Sequence, residues 1–256
     1  MKTVLIIGIG AGDPEYVTVQ AVNALNRVDV FFLLEKGPGK RKLIELREQI
    51  CRRYIKDRSY RVVDAASPAW DRHAADYGAT IAELNREKKA LFERLIRDGM
   101  EDGECGAFLV WGDPTLYDST LRIVGAIAGA GKEAIEFEVI PGISAPQALA
   151  ARHKTTLNRI AGSVEITTGR RISECFRDEA DSVVVMLDAR NAYNQFVDQD
   201  VDIFWGAYIG TPDEILISGK LKDVAGEIER VRAAARQANG WIMDTYLLRR
   251  GGQDDC

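Results

Sequence analysis

Short apolar runs alternate with longer amphipathic stretches along the first 140 residues, and glycine or proline marks most junctions. Residues 3–9 form a continuous apolar run rich in β-branched side chains, which is typical of a strand buried in a parallel sheet. Repetition of this unit predicts a doubly wound parallel sheet with helices on both faces. The predicted strands are residues 3–9, 28–34, 60–64, 107–111 and 137–140, and the predicted helices are residues 14–27, 40–55, 69–98 and 116–130.

Strand patterns predominate after about residue 150, and some connections are short, as at residues 210–213. This pattern predicts a mixed sheet that contains antiparallel pairs. The predicted strands are residues 164–168, 183–187, 203–209, 214–218 and 241–247, with one clear helix at residues 221–237. The fold class is therefore α/β, with two α/β domains at residues 1–145 and 146–250 and a frayed tail at residues 251–256.

Composition narrows the functional classes. Hydrophobic residues make up 46% of the chain and charged residues 29%, which is ordinary for a globular protein. The net charge of −5 argues against a nucleic-acid partner. The apolar runs are shorter than the roughly 20 residues that span a bilayer, so we expect no membrane association. Four widely spaced cysteines and two histidines predict no metal site and a reduced, cytoplasmic location.

Three glycine-containing turns follow predicted strands, at residues 8–14, 111–117 and 140–145. Ligands of open parallel sheets bind beyond the carboxyl ends of the strands, so we expect these turns to meet at one site. Asp13 and Asp113 favour a cationic or hydroxyl-bearing ligand over a phosphate. The alternative for Asp113 or Ser144 is a simple helix cap, in which the side chain accepts backbone N–H groups.

The first turn also resembles the start of a dinucleotide fingerprint. Gly8-x-Gly10 follows a strand, and Glu35 ends the second strand, where an acid can bind a ribose. The third glycine of that fingerprint is replaced by Asp13, and Pro14 follows it. An acid at a helix start repels a pyrophosphate, which weakens the dinucleotide interpretation.

Taken together, the three motifs resemble the tetrapyrrole (corrin/porphyrin) methylase family. The resemblance covers nearly the whole chain. It rests on the motifs Gly8-x-Gly10-x-Gly12-Asp13-Pro14, Gly112-Asp113-Pro114-x-x-Tyr117 and Pro141-Gly142-x-Ser144-Ala145, and on Met186-Leu187, Ala207 and residues 210–221 in the second half. One departure is Ala11, where most of the family has proline.

The resemblance implies a two-domain class III methyltransferase fold that binds S-adenosylmethionine in the cleft between the domains and releases S-adenosylhomocysteine. It also implies a homodimer. The residues that it assigns to the cofactor are Pro14, Gly112, Asp113, Ser144, Ala145, Met186 and Ala207. We expect several of these contacts to come from backbone groups.

Residues 29–37 and 106–122 carry the more specific part of the resemblance. They imply an enzyme of cobalamin biosynthesis that methylates ring carbon 1 of precorrin-5 and releases acetate. Acetyl loss calls for a general base. The candidates near the strand ends are Glu35, Asp113, Tyr117 and His153.

The substrate carries many carboxylates, and the segment at residues 40–61 holds nine Lys or Arg against three acids. We expect this segment to steer the polyanion, so that replacing Arg41 and Arg47 by Ala raises the substrate KM. Its alternative is a solvated helix face. Arg122 and Arg152 are further candidate carboxylate clamps.

Other functions remain open on sequence alone. Members of the same fold methylate other precorrins, ribosomal RNA or a diphthamide precursor. A protein that binds S-adenosylmethionine as a sensor would keep the three turns, and an NAD-dependent oxidoreductase would use the first.

Overall fold

The computed structural model describes residues 1–35, 41–56, 59–68, 77–131, 133–176 and 180–251, without the side chains of residues 35, 41, 42, 77–81 and 175. The chain divides into two compact units. The first contains Met1–Gly10 and Pro14–Ile143. The second contains Ala11–Asp13 and the chain from Ser144 onward.

The first unit is built on a five-stranded sheet in which every pair of neighbouring strands is parallel. Its strands are β1 (Lys2–Gly8), β2 (Val30–Glu35), β3 (Arg61–Ala66), β4 (Cys105–Val110) and β5 (Ile135–Ile140). Its helices are α1 (Val19–Leu25), α2 (Arg41–Tyr54), α3 (Tyr77–Gly99) and α4 (Thr120–Ala130). The strand order β3-β2-β4-β1-β5 confirms the predicted parallel sheet.

Helices cover both faces of this sheet. Val4 and Ile6 of β1 belong to one buried cluster, which includes side chains of α3 and α4. Leu5 and Ile7 belong to a second cluster, which includes side chains of α1 and α2. Successive strand residues point to opposite faces, so both faces of β1 are buried, and its sequence is apolar without alternation.

The first predicted helix begins later than its pattern indicates. Pro14 lies in a separate 3-10 turn, Pro14–Tyr16, and α1 begins at Val19. Thr18 caps α1 through its side chain, which accepts the N–H of Ala21 at 3.0 Å. The prediction of a helix from residue 14 is therefore wrong, because Thr18 supplies a stronger start signal than proline. The helix predicted at residues 116–130 similarly begins only at Thr120.

The second unit contains a mixed sheet, as predicted. Its strands are β6 (Val164–Thr168), β7 (Ser182–Met186), β8 (Val201–Ala207), β9 (Ile215–Lys220) and β10 (Asp244–Arg250), and its helices are α5 (Ala145–His153), α6 (Ile172–Cys175) and α7 (Leu221–Asn239). The strand order is β6-β7-β10-β8-β9. β6 and β7 are parallel, and the other neighbours are antiparallel. Side chains of α7 pack with β7, β8 and β10 in one buried cluster.

Within the described ranges, no helix combines the length and the apolar character needed to cross a membrane. The same residues contain no group of three or more His, Cys, Asp and Glu side chains placed to hold a metal ion. Apart from Gly251, the predicted tail lies outside the described residues.

Candidate functional site

The backbone of the first unit closes on itself at Gly8, Gly10, Gly112 and Gly142, which we call the glycine junction. Gly112 donates its N–H to the Gly10 carbonyl at 2.8 Å, and Gly10 donates to the Gly112 carbonyl at 3.3 Å. A Cβ on Gly142 would lie 2.2 Å from the Gly112 carbonyl oxygen, and one on Gly8 would lie 2.6 Å from the Gly142 nitrogen. Backbone approach this close excludes any side chain. The predicted meeting of the turns after Ile9, Trp111 and Ile140 is thus confirmed at these glycines.

Asp113 ties two of these turns together. One carboxylate oxygen accepts the N–H of Thr115 at 2.7 Å and also contacts the Thr115 hydroxyl. The other oxygen accepts the N–H of Gly142 at 2.9 Å. Burial acts to raise the pKa of Asp113, but these hydrogen bonds outweigh it and leave the pKa below its ordinary value. Asp113 is therefore ionised at neutral pH and committed to holding the turns.

Tyr117 is presented to solvent from the second turn. Its side chain is 45% exposed, and its backbone lies in the left-handed region with φ of 54°. Tyrosine seldom adopts this conformation, and such backbone strain concentrates at functional sites. The structure therefore leaves the side chain of Tyr117 accessible to a ligand.

Met186 and Ala207 end two strands at the same edge of the second sheet. β10 lies between their strands and is antiparallel to both, with Met186 opposite Thr245 and Ala207 opposite Asp244. Ala207 is fully buried, so it can offer a ligand only its backbone.

The residue after each of these strands has a left-handed backbone. Leu187 has φ of 55° and follows β7, and Tyr208 has φ of 49° and follows β8. Among the described residues, six non-glycine residues have positive φ, and Tyr117, Leu187 and Tyr208 are three of them. Leu187 is also 66% exposed. Both predicted cofactor segments of this unit thus carry backbone strain.

Ala11–Asp13 belong to the second unit, where Gly12 packs against the turn after β8. A Cβ on Gly12 would lie 2.2 Å from the Ile209 carbonyl oxygen. Glu214 holds this turn by accepting the N–H of Gly210 at 2.8 Å. Arg152 donates to the same carboxylate at 2.5 Å. Arg152 is therefore engaged in a structural ion pair, which argues against its role as a substrate clamp.

The residues around α5 have structural partners. Ser144 is buried at the N-cap position of α5 and directly precedes Ala145, the first residue of the helix. Its hydroxyl donates to the Gln147 side chain instead of capping the helix backbone. His153 ends α5, and its Nε2 lies 3.0 Å from the Trp205 carbonyl oxygen. Burial lowers the pKa of His153, which makes the ring a weaker base, and its Nε2–H donates to this carbonyl.

Two further predicted residues, Glu35 and Pro14, belong to the first unit. The backbone of Glu35 ends β2, but its side chain lies outside the described part of the structure. Pro14 opens the 3-10 turn, and its carbonyl accepts the Tyr54 hydroxyl at 3.0 Å.

Much of the positive charge in residues 40–61 is paired. Ion pairs join Arg52 to Glu48, Arg53 to Glu15 and Arg61 to Glu104.

Arg47 instead donates to two backbone carbonyls, and burial lowers its pKa to about 10. The side chain of Arg41 lies outside the described residues. Steering of the substrate by residues 40–61 stays a prediction.

A buried polar network that holds Asp188, two residues after Met186, is not predicted from the sequence. Arg232 pairs with Asp244 and donates to the backbone carbonyl of Asp188, and Asp244 accepts the indole N–H of Trp205. The available signal was the position of Arg232 in the apolar stripe of α7. Charged residues in such stripes are rare unless they are paired.

Comparisons with known proteins match this architecture. The model of the family described as Tetrapyrrole (Corrin/Porphyrin) Methylases matches residues 3–225. Precorrin-6A synthase (deacetylating) from Sinorhizobium sp is 46% identical over 255 residues, which cover 100% of this chain and 98% of that protein.

Solved structures of similar proteins share this fold. A cobalamin synthesis related protein (CobF) from Corynebacterium diphtheriae has a TM-score of 0.83 and 34% identity, with 98% of this chain and 99% of that chain covered. Uroporphyrin-III C-methyl transferase from Thermus thermophilus, solved with S-adenosyl homocysteine, has a TM-score of 0.58 and 16% identity, with 96% and 97% covered. At that identity the second likeness shows the fold alone.

Proposed function

Because this chain belongs to the tetrapyrrole (corrin/porphyrin) methylase family, we propose that it is a precorrin-6A synthase of the deacetylating type. It transfers a methyl group from S-adenosylmethionine to a tetrapyrrole in cobalamin biosynthesis. The reaction methylates ring carbon 1 of precorrin-5 and releases acetate with precorrin-6A. The observation that carries this proposal is the 46% identity along the whole chain, which includes both units.

The chemistry of the strand-end residues fits S-adenosylmethionine. When bound, this cosubstrate supplies an electrophilic methyl group on a positively charged sulfur. Asp113 is ionised at neutral pH, and an anionic side chain suits a cation and disfavours a phosphate. The residues proposed to line the site are Pro14, Gly112, Asp113, Ser144, Ala145, Met186 and Ala207. Buried members of this set, such as Gly112 and Ala207, contribute backbone groups.

The protein promotes methyl transfer mainly by orientation. In-line displacement requires the ring carbon, the methyl group and the sulfur to be aligned, and alignment alone can supply about 7–11 kcal/mol of the barrier. The glycine junction suits this task because its backbone groups are in direct contact and leave little freedom to move. Positive charge disperses in the transition state, so this step needs no general acid or base.

Acetyl release makes a different demand. Water adds to the acetyl carbonyl, the bond to the ring carbon breaks, and its electron pair enters the conjugated macrocycle as acetate leaves. A general base accepts the proton from the attacking water. Asp113 and His153 hold the fold through hydrogen bonds, and the side chain of Tyr117 is 45% exposed. We assign the proton transfer to Tyr117, which accepts the proton in its phenolate form, with the carboxylate of Glu35 as the alternative.

The test is a reaction of the purified protein with precorrin-5 and S-adenosylmethionine that carries a labelled methyl group. We expect one acetate for each methyl transferred, and no acetate when the methyl donor is omitted. Methylation without acetate would identify another methylase of this fold. A protein stabilised by NAD or a flavin, and not by S-adenosylhomocysteine, would instead be a dinucleotide-dependent oxidoreductase.

We also propose an oligomeric state and a location for the protein. The protein forms a homodimer, which is the commonest symmetric assembly, and light scattering should give twice the chain mass of 28.4 kDa. The net charge of −5 supports the absence of a nucleic-acid partner. The widely spaced cysteines support a cytoplasmic location. The functional domains proposed are residues 1–145 and 146–250.

A further inference from the structure

Arg232 interrupts the apolar stripe of α7. Leu221, Ala225, Ile228 and Ala235 of this helix are buried in the core of the second unit. Arg232 lies on the same stripe, and its side chain is 8% exposed. A guanidinium in such a position is strongly unfavourable unless charged and polar partners surround it. Its partners therefore reveal why a cation is retained there.

The guanidinium of Arg232 joins two separate groups. Its Nε donates to a carboxylate oxygen of Asp244 at 2.8 Å, and the same oxygen accepts the indole N–H of Trp205 at 3.1 Å. Its Nη2 donates to the backbone carbonyl of Asp188 at 2.6 Å. The planar fork of arginine allows both contacts from one side chain. Arg232 thereby connects the start of β10 to the segment that follows β7.

Asp188 is the point at which that segment is held. Its carboxylate accepts the N–H of Arg190 at 2.8 Å and the N–H of Ala192 at 2.6 Å. It also accepts the hydroxyl of Tyr246 at 2.9 Å. A Cβ on Gly169 would lie 2.5 Å from the same carboxylate, so the space around it is filled. Main chain and side chain of Asp188 are thus restrained together.

We propose that Arg232 and Asp244 are positioning residues, which act through Asp188 to hold Met186 and Leu187 in the conformation that binds S-adenosylmethionine. This inference rests on the proposed function, in which Met186 contacts the cosubstrate.

The backbone conformation of Leu187 needs support from its surroundings. This residue is left-handed and 66% exposed, so its own side chain packing does little to maintain the conformation. A strained conformation persists only where its surroundings over-determine it. The next residue is Asp188, whose carbonyl is fixed by Arg232 and whose carboxylate is fixed by three further donors. Without the bond from Arg232, the segment relaxes and must be reordered each time the cosubstrate binds.

The decisive variant is Arg232→Lys, which keeps the charge but loses the fork that reaches Asp244 and Asp188 together. We expect its Kd for S-adenosylhomocysteine and its KM for S-adenosylmethionine to rise about tenfold. We expect kcat at saturating S-adenosylmethionine to stay within threefold of wild type, and the KM for the tetrapyrrole to stay unchanged. Calorimetry gives the Kd, and urea denaturation of the free protein reports its stability.

The matched control is Arg236→Lys, an exposed position one turn along the same helix, which should leave every parameter at its wild-type value. If Arg232→Lys lowers stability but leaves Kd and KM within twofold of wild type, the role of Arg232 is purely structural and the inference is wrong. If that variant fails to fold, Tyr246→Phe decides, because it removes one donor to Asp188 with little change in volume. A Kd raised severalfold in Tyr246→Phe supports the inference, and an unchanged Kd overturns it. Wild-type protein that does not bind S-adenosylhomocysteine would instead contradict the proposed function.

Discussion

At Asp113 one carboxylate holds together two turns that are 29 residues apart in the chain. Its hydrogen bonds keep the pKa low, so the group serves as a fixed acceptor and not as a proton carrier. Tyr117, four residues later, is exposed on a strained backbone. Within one turn, Asp113 thus holds the backbone, whereas Tyr117 is presented to solvent.

We predict that Asp113→Asn lowers the free energy of unfolding by about 1–3 kcal/mol at pH 7, because the amide places N–H groups against N–H donors. An acid with a depressed folded pKa stabilises the fold above its unfolded pKa of about 3.9 and loses that contribution as pH falls through the folded value. The variant should therefore approach wild-type stability in urea denaturation as pH falls from 5 towards 2. Asp64→Asn, at an exposed site on β3, is the control. A stability difference that grows on acidification would contradict this assignment.

For Tyr117→Phe we expect acetate release to slow about 100-fold, which is the lower range of general acid–base contributions. The KM for S-adenosylmethionine should stay within twofold of wild type, because the hydroxyl is assigned to the later step. Rates of acetate formation measure the effect, and Tyr60→Phe, just before the amino end of β3, serves as the control. Wild-type rates in Tyr117→Phe would exclude this residue and transfer the assignment to Glu35.

At the scale of elements, close backbone packing shapes the strand ends of the first unit. The glycine junction brings the carboxyl ends of β1, β4 and β5 into contact, since only residues without a Cβ fit there. Parallel strand–helix units deliver these ends to a common edge.

Gly142→Ala places a Cβ 2.2 Å from the Gly112 carbonyl oxygen, a backbone atom that cannot move aside cheaply. We expect a loss of about 1–3 kcal/mol in unfolding free energy and a marked loss of S-adenosylhomocysteine binding. Gly129→Ala on α4 meets no atom within 4 Å and should stabilise the protein by up to about 1 kcal/mol. Urea denaturation and calorimetry test both variants. Equal behaviour of the two alanine variants would contradict the close contact at Gly142.

At the scale of the whole molecule, acidic groups in ion pairs govern the response to acid. Arg61 binds Glu104 at 2.8 Å and lowers the pKa of that carboxyl to about 2. Arg27 binds Glu138 at 2.6 Å and also lowers its pKa. Asp244 acts in the opposite direction, because burial raises its pKa. Because the pKa values of Glu104 and Glu138 are lowered, these two carboxyls bind fewer protons in the folded protein than in the unfolded chain in acid.

We therefore predict that the free energy of unfolding falls as pH is lowered from about 5 to 2. A carboxylate whose pKa is lowered by folding stabilises the fold above its unfolded pKa and loses this effect as the pH falls through its folded pKa. Glu104→Gln should shrink that pH dependence. Glu136→Gln, at an exposed site on β5, should leave it unchanged. Urea denaturation over this pH range is the measurement, and equal slopes for both variants would rule out the contribution of Glu104.

The strands were predictable from the sequence by itself, because uninterrupted β-branched runs occur in few settings other than a covered parallel sheet. The three turn motifs could also be predicted, since glycine at a strand end indicates close backbone packing that leaves no room for a Cβ. The start of α1 was mispredicted, because Pro14 and Thr18 both resemble helix starts and only packing selects Thr18.

Contacts between distant segments were decided by the tertiary structure. Asp113 became a clamp because folding places the Gly142 N–H beside it, and His153 became structural because Trp205 presents a carbonyl to it. The network of Arg232, Asp244 and Asp188 spans residues far apart in the chain. Local patterns specify strands and turns because they depend on neighbouring residues, whereas a polar group's role depends on partners that only the folded chain brings within hydrogen-bond distance.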